Sequence, residues 1–188
     1  MNCDAENYVV PPLSKAQLRR KAMDVRAAFN IDLHEPFPVL EVLENRLPGM
    51  IEGYQFEVAF KEDLGDKLAE TIPNEQRIRI REDVYNGMFN LEGQHLFTGA
   101  HELGHLIFHR NIAPSLLNLD PAGYPAYRKS EWQANTFAAE LLMPFDVVRH
   151  MDAAEIEANY NVSHKAAMYR VRIINEEEEK QRHSSMKK

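Results

Sequence analysis

The sequence predicts an α+β domain in which a short antiparallel sheet packs on a mostly helical body. Apolar residues recur at helical spacing in several separate segments. Period-two alternation is confined to a short stretch between residues 54 and 81. A span of some twenty residues in the middle of the chain is apolar almost all round, as a central helix must be. At 188 residues the chain has the size of one domain and can bury a core without staples.

The elements follow in order. Ser14 caps a helix whose Leu18, Ala22, Val25 and Phe29 form one stripe, and Asn30 ends it. A second, shorter helix begins near Pro38, presents Leu40, Leu43 and Leu47 on one side, and stops at Pro48 and Gly49. Strands are expected at 54–60 and 77–81, with a weaker one at 68–72. The central helix spans about 91–110, and a loop rich in Pro, Gly and Tyr (111–128) leads to another helix over 130–143. Pro144 suits the first turn of a short helix. Two more helices follow near 152–159 and 163–175, the second capped by Ser163 and carrying Ala167, Val171 and Ile174 on one stripe. No internal repeat is present, and the tail NEEEEKQRHSSMKK is too polar to be expected in a core.

Composition excludes several classes of function. The chain is 44% apolar and 27% charged, and no apolar run reaches the ~18 residues that a membrane span needs. Cys3 is the only cysteine, which excludes an internal disulfide and a cysteine-based structural zinc site, so a metal would have to use His and carboxylate. Acidic residues outnumber basic ones, 29 to 22, a field that repels nucleic acid. The first residues, MNCDAENYVVPP, lack the basic and apolar regions of a secretory signal, so a cytoplasmic location is expected.

The central helix contains His101-Glu102-Leu103-Gly104-His105, an HExxH pattern. Two histidines four apart lie one turn above each other on one face, close enough to chelate one ion, with Glu102 beside them as a base for water. Two imidazoles and a carboxylate on a buried helix would cost several kcal/mol without partners, and a metal removes most of that cost. Catalytic zinc takes three protein ligands and an open position. His109 continues the row, but it lies about 12 Å along the axis from His101 at ~1.5 Å per residue, too far to share one tetrahedral ion. A metzincin would have Gly and His where this chain has Phe108 and Asn111. Glu131 opens the next apolar helix, where the helix dipole alone also favours a carboxylate, so spacing does not assign it.

The segment HELGHLIFH, followed after an interval by EWQANTFAAELLMP, resembles the ImmA/IrrE family of metallopeptidases. The resemblance is strongest from Phe97 to Pro144. It implies a small gluzincin-like zincin domain that binds Zn2+ through His101, His105 and Glu131, with Glu102 as catalytic base and Asn135 supporting a ligand. It also implies a protein substrate, a helix-turn-helix repressor or antitoxin cut at few sites. One local departure is QHLFTGA at 94–100, where the family usually shows Arg-x-x-Phe-Thr-Leu-Ala. Gly99 within a helix costs about 1 kcal/mol relative to Ala, which points to close packing there. The organisation expected is a flexible N-terminus (1–13), one metallopeptidase domain (14–175) and a polar tail (176–188). Within the domain, 14–49 would form the helix pair, 50–150 the catalytic core and 151–175 the C-terminal helices. Candidates for an oxyanion donor are Tyr124, Tyr127, His95 and His164.

A reading of another class rests on AEIEANYNVSHKAAMYRVRII (154–174), a helix, turn and helix resembling a DNA reader. It would make the protein a DNA-binding regulator with a structural or vestigial zinc site. The acidic balance opposes it, so neither membrane nor direct nucleic-acid binding is expected.

Overall fold

The structure, a computed structural model, describes residues 7–185. Helix α1 (Lys15–Ala28) begins with a complete capping box: the Ser14 hydroxyl accepts from the Gln17 amide, and the Gln17 side chain accepts from the Ser14 amide. Leu18 and Ala22 are buried on the expected face, and so is Arg26. Its guanidinium donates to the carbonyls of Leu141, Asp32 and Glu35, which makes a fully buried cation tolerable by supplying acceptors for it. Helix α2 (Val39–Glu41) runs into a π turn (Val42–Arg46) and a 3-10 turn (Leu47–Gly49). The wider turn shifts the buried stripe to Val39, Val42, Leu43 and Leu47, leaving Leu40 half-buried.

The sheet consists of β1 (Gln55–Ala59), β2 (Ala69–Ile72) and β3 (Arg77–Arg81), ordered β1-β3-β2, with helix α3 (Lys61–Leu64) between the first two in sequence. The expectation of an antiparallel sheet needs correction. Strands β2 and β3 form an antiparallel hairpin, but β1 and β3 are parallel, with Phe56 opposite Ile78. After β1 the chain passes through α3 to the far edge, so β3 enters the middle running the same way as β1. On β3, Ile78 and Ile80 are fully buried, while Arg79 on the other face bridges Glu57 and Glu70 on the flanking strands. Strand β2 is an edge. The Arg81 amide donates to the Leu68 carbonyl (3.0 Å), and antiparallel alternation from that pair turns the backbone groups of Ala69 and Thr71 outward, to the unpaired side.

The remaining helices are α4 (Glu82–Phe89), α5 (Gly93–Phe108), α6 (Pro114–Leu117), α7 (Ser130–Leu142), α8 (Phe145–Val148), α9 (Ala153–Tyr160) and α10 (His164–Ser185). Helix α5 starts two residues later than expected because Leu91 adopts a positive φ of 59° after α4, an element the sequence pattern did not reveal. Helices α5 and α7 cross closely at Gly104. A Cβ there would lie 3.1 Å from Phe137 Cδ1 and 3.2 Å from Ala134 Cα. At Gly99 a Cβ would meet Met88 and Val39 side chains at 2.7 Å, the close packing anticipated there. No helix among the described residues is long and apolar enough to cross a membrane.

Both ends of the described chain make contacts that local pattern does not reveal. Within the N-terminal segment expected to be flexible, residues 8–13 form a strap over the start of α7. Val9 makes a bridge with Lys129, the amides of Val10 and Leu13 donate to the carbonyls of Arg128 and Tyr127, and Val9 and Val10 are fully buried. At the other end, α10 continues into the polar tail as far as Ser185. Its charges find partners: Glu177 pairs with Lys15 and Arg19, and Glu178 with Arg149. Beneath them Glu140, wholly buried on α7, accepts paired hydrogen bonds from both Arg19 and Arg170, joining α1, α7 and α10.

Candidate metal and active site

Helix α5 places His101, Glu102 and His105 in the core, where all three are buried. The close crossing at Gly104 brings the first turn of α7 against them, and Glu131 reaches across from that turn. Nε2 of His101 and Nε2 of His105 face each other at 3.0 Å. Glu131 lies against both, Oε2 at 3.4 Å from His101 and Oε1 at 3.0 Å from His105. One ligand atom from each of the three residues falls within 4.8 Å of the others.

These donors fit a divalent cation. Two imidazole nitrogens and one carboxylate are the donor types of a three-ligand zinc-type site. Glu131 Oε1 is buried without a hydrogen-bond partner, although a ring nitrogen is close by, as expected of atoms converging on a shared point. Burial opposes a charge on His101, yet the Glu131 hydrogen bond and the fields of Glu102 and Glu131 raise its pKa above the ordinary value. Burial also pushes the Glu131 carboxyl up, but His101 and His105 more than offset it and hold its pKa at about 2. Glu131 is thus an anion facing the two rings.

The flanking contacts orient each member. His101 Nδ1 meets Asn135 Oδ1 at 3.2 Å, one turn beyond Glu131 on α7. His105 Nδ1 meets His109 Nδ1 at 2.9 Å, so His109 touches the side of the ring turned away from Glu131 and stays outside the cluster. The Thr71 hydroxyl on β2 lies 2.6 Å from Glu102 Oε2, and Glu102 Oε1 is buried with no partner. A carboxylate with one oxygen anchored and the other free is suited to accept and return a proton.

Residues 89–172, just under half of the chain, match the peptidase family model described as IrrE N-terminal-like domain. Over this segment the chain is similar to the ImmA/IrrE family. The match points to a function of the metallopeptidase type, and the matched segment contains His101, Glu102, His105 and Glu131 together with Asn135 and His109. No curated protein matches the chain.

None of the candidates for an oxyanion donor hydrogen-bonds through its side chain to His101, His105 or Glu131. His164 is exposed and pairs with Glu157, Tyr124 carries Arg128 over its ring, His95 packs on Gly87 near the start of α5, and Tyr127 is exposed. Sequence reasoning missed Tyr8. The strap holds it by reciprocal bonds with Ser130, from its amide to the hydroxyl and from the Ser130 amide to its carbonyl, both 3.0 Å. Its ring stands edge-on to His109 at 5.7 Å. Burial, with the fields of Glu131 and Glu102, pushes the Tyr8 phenol up to about 12, which keeps it protonated as a donor. Thr71 was missed as well, since a threonine on a strand carries no motif.

Proposed function

We propose that this protein is a cytoplasmic zinc metalloendopeptidase that cleaves a helix-turn-helix repressor or antitoxin at few sites. The observation that carries the enzymatic reading is the convergence of His101 Nε2, His105 Nε2 and Glu131 beside the unpartnered Oε1 of Glu102. His101, His105 and Glu131 would hold the ion, which when bound supplies a Lewis acid that polarises a carbonyl and acidifies water. Glu102 takes a proton from water through Oε1 and passes it to the leaving amine, while Thr71 keeps Oε2 in place. Tyr8, protonated at neutral pH and within the fields of Glu131 and Glu102, is the phenol we assign as donor to the developing oxyanion.

The free edge of β2 suits an extended peptide. Ala69 and Thr71 turn their amides and carbonyls outward there, and Thr71 also touches Glu102, so a segment pairing with this edge runs beside the base. The repressor or antitoxin as substrate rests on the resemblance of HELGHLIFH and EWQANTFAAELLMP to the family. The alternative DNA-reading role for α9 and α10 is disfavoured by their packing: Ile156, Tyr160, Val162, Ala167 and Ile174 are buried in the common core, and Arg170 is tied to Glu140.

The test is to incubate zinc-loaded protein with a repressor encoded beside its gene. Discrete fragments that vanish with a chelator and return with zinc are expected. A protein that takes up no metal would overturn the reading.

A further inference from the structure

Gln133 is buried on α7, two residues beyond Glu131, and takes no part in the chemistry proposed above. Its side-chain nitrogen donates to two backbone carbonyls, Pro11 at 2.8 Å and Tyr127 at 2.9 Å. A carbonyl can only accept, so these two contacts fix which end of the amide is nitrogen. Oε1 therefore faces His109 Nε2 at 3.3 Å as an acceptor, and His109 Nε2 must carry the proton. Only one of two ring nitrogens in hydrogen-bond contact can hold the proton between them, and a ring that binds a metal keeps its proton on the nitrogen turned away from the ion, so His109 Nδ1 is the acceptor in the contact with His105. A neutral imidazole with a proton on Nε2 has a lone pair on Nδ1. That lone pair faces His105 Nδ1 at 2.9 Å, so His105 carries its proton on Nδ1 and turns the bare Nε2 toward His101 and Glu131.

We infer that Gln133 is a positioning residue for the metal centre: held by the carbonyls of Pro11 and Tyr127, it sets the direction of the hydrogen bonds through His109 so that His105 offers the lone pair of Nε2 to the ion. This rests on the metal reading given under Proposed function. Its consequence is that the N-terminal strap belongs to the centre although none of its atoms is a ligand. The Pro11 carbonyl is one of the two groups that orient the relay, and Tyr8 covers His109 from the same strap.

Two substitutions separate this role from simple support of the strap. Both Gln133→Leu and Gln133→Glu remove the donations to Pro11 and Tyr127. Only Gln133→Leu removes the acceptor for His109, because a carboxylate accepts from Nε2 as the amide oxygen does. Zinc affinity, measured by competition with a chromophoric chelator at neutral pH, should fall about 10 to 100-fold in Gln133→Leu. Gln133→Glu should lose clearly less affinity than Gln133→Leu, because it keeps the acceptor for His109 while losing the two contacts that orient it. Equal weakening in both variants, or none in Gln133→Leu, overturns the inference. Long-range 1H–15N spectra of metal-free wild-type protein give a second reading that needs no variant to fold. They should show the proton of His109 on Nε2, and a proton on Nδ1 of His109 overturns the relay. Failure of the wild type to bind zinc would instead strike the metal reading, since the His109 tautomer is observed without metal.

Discussion

The Thr71 hydroxyl lies 2.6 Å from Oε2 of Glu102 and 3.1 Å from the backbone carbonyl of the same residue, tying the edge of the sheet to the centre of the HExxH helix. Glu102 is fully buried, and this contact leaves its Oε1 as the free oxygen. The division of roles within one carboxylate leads to two predictions.

Glu102→Gln should keep the fold and the bound zinc, because Glu102 stands beside the three-residue cluster and is not one of its members. An amide cannot take up water's proton, so hydrolysis should fall by at least about 100-fold. Undiminished turnover of the true substrate in this variant would sink the mechanism.

Thr71→Val keeps the shape of the side chain and removes the hydroxyl, leaving Oε2 buried and unsatisfied. We expect kcat to fall on the order of tenfold with zinc affinity unchanged, and Thr71→Ser to restore most of the loss. A change in zinc affinity of the same size would mean that Thr71 supports the fold of the centre and does not act through Glu102.

The helices and the histidine pair were legible because local pattern determines them, whereas Glu131 was named only by the family resemblance. Leu18 and Ala22 share a stripe, Ser14 and Gln17 form a capping box, and His101 and His105 meet because they are four apart on one helix. What escaped was decided by contacts distant in sequence. The parallel pairing of β1 with β3 depends on the path through α3, which alternation does not encode. Thr71 reaches Glu102 from 31 residues away. Tyr8 and Pro11 read as a free terminus, yet they are held at Ser130 and Gln133, more than a hundred residues on. The charged tail joins the fold because Lys15, Arg19 and Arg149 supply partners that no local window contains.

Acid stability should depend on Glu140. Burial alone would raise its carboxyl pKa, but Arg170 and Arg19 hold it below the ordinary 4.5. A group depressed in the folded state contributes stability that is fully present above its unfolded pKa and is lost as pH falls through the folded one. Glu140→Gln should therefore cost roughly 3 kcal/mol at neutral pH, as breaking a buried pair does. The gap between the variant and the wild type should stay constant down to about pH 5 and narrow below it. Urea unfolding at a series of pH values measures this, and a gap that widens in acid would contradict the assignment.

Selectivity follows from the proposed substrate. An enzyme that recognises its target beyond the scissile bond should cut a cognate repressor into a few fragments and leave casein largely intact. Rapid, general digestion of casein by the zinc-loaded protein would contradict it.

The final prediction separates Glu131 from His109. Glu131 contributes an oxygen to the cluster itself, whereas His109 meets His105 through Nδ1, on the side of the ring away from the cluster. Both residues are close to the centre, and His109 is the more buried of the two, so burial alone would rank them wrongly. Removing one of three ligands should abolish tight binding, while removing a residue that only orients a ligand should cost about 10 to 100-fold in affinity. Zinc content and affinity are to be measured for Glu131→Ala and His109→Ala in parallel, with circular dichroism to confirm that each variant is folded. If the Glu131 variant retains full zinc and the His109 variant loses it, the third ligand has been misassigned, and the placement of Glu102 as the base beside that ion fails with it.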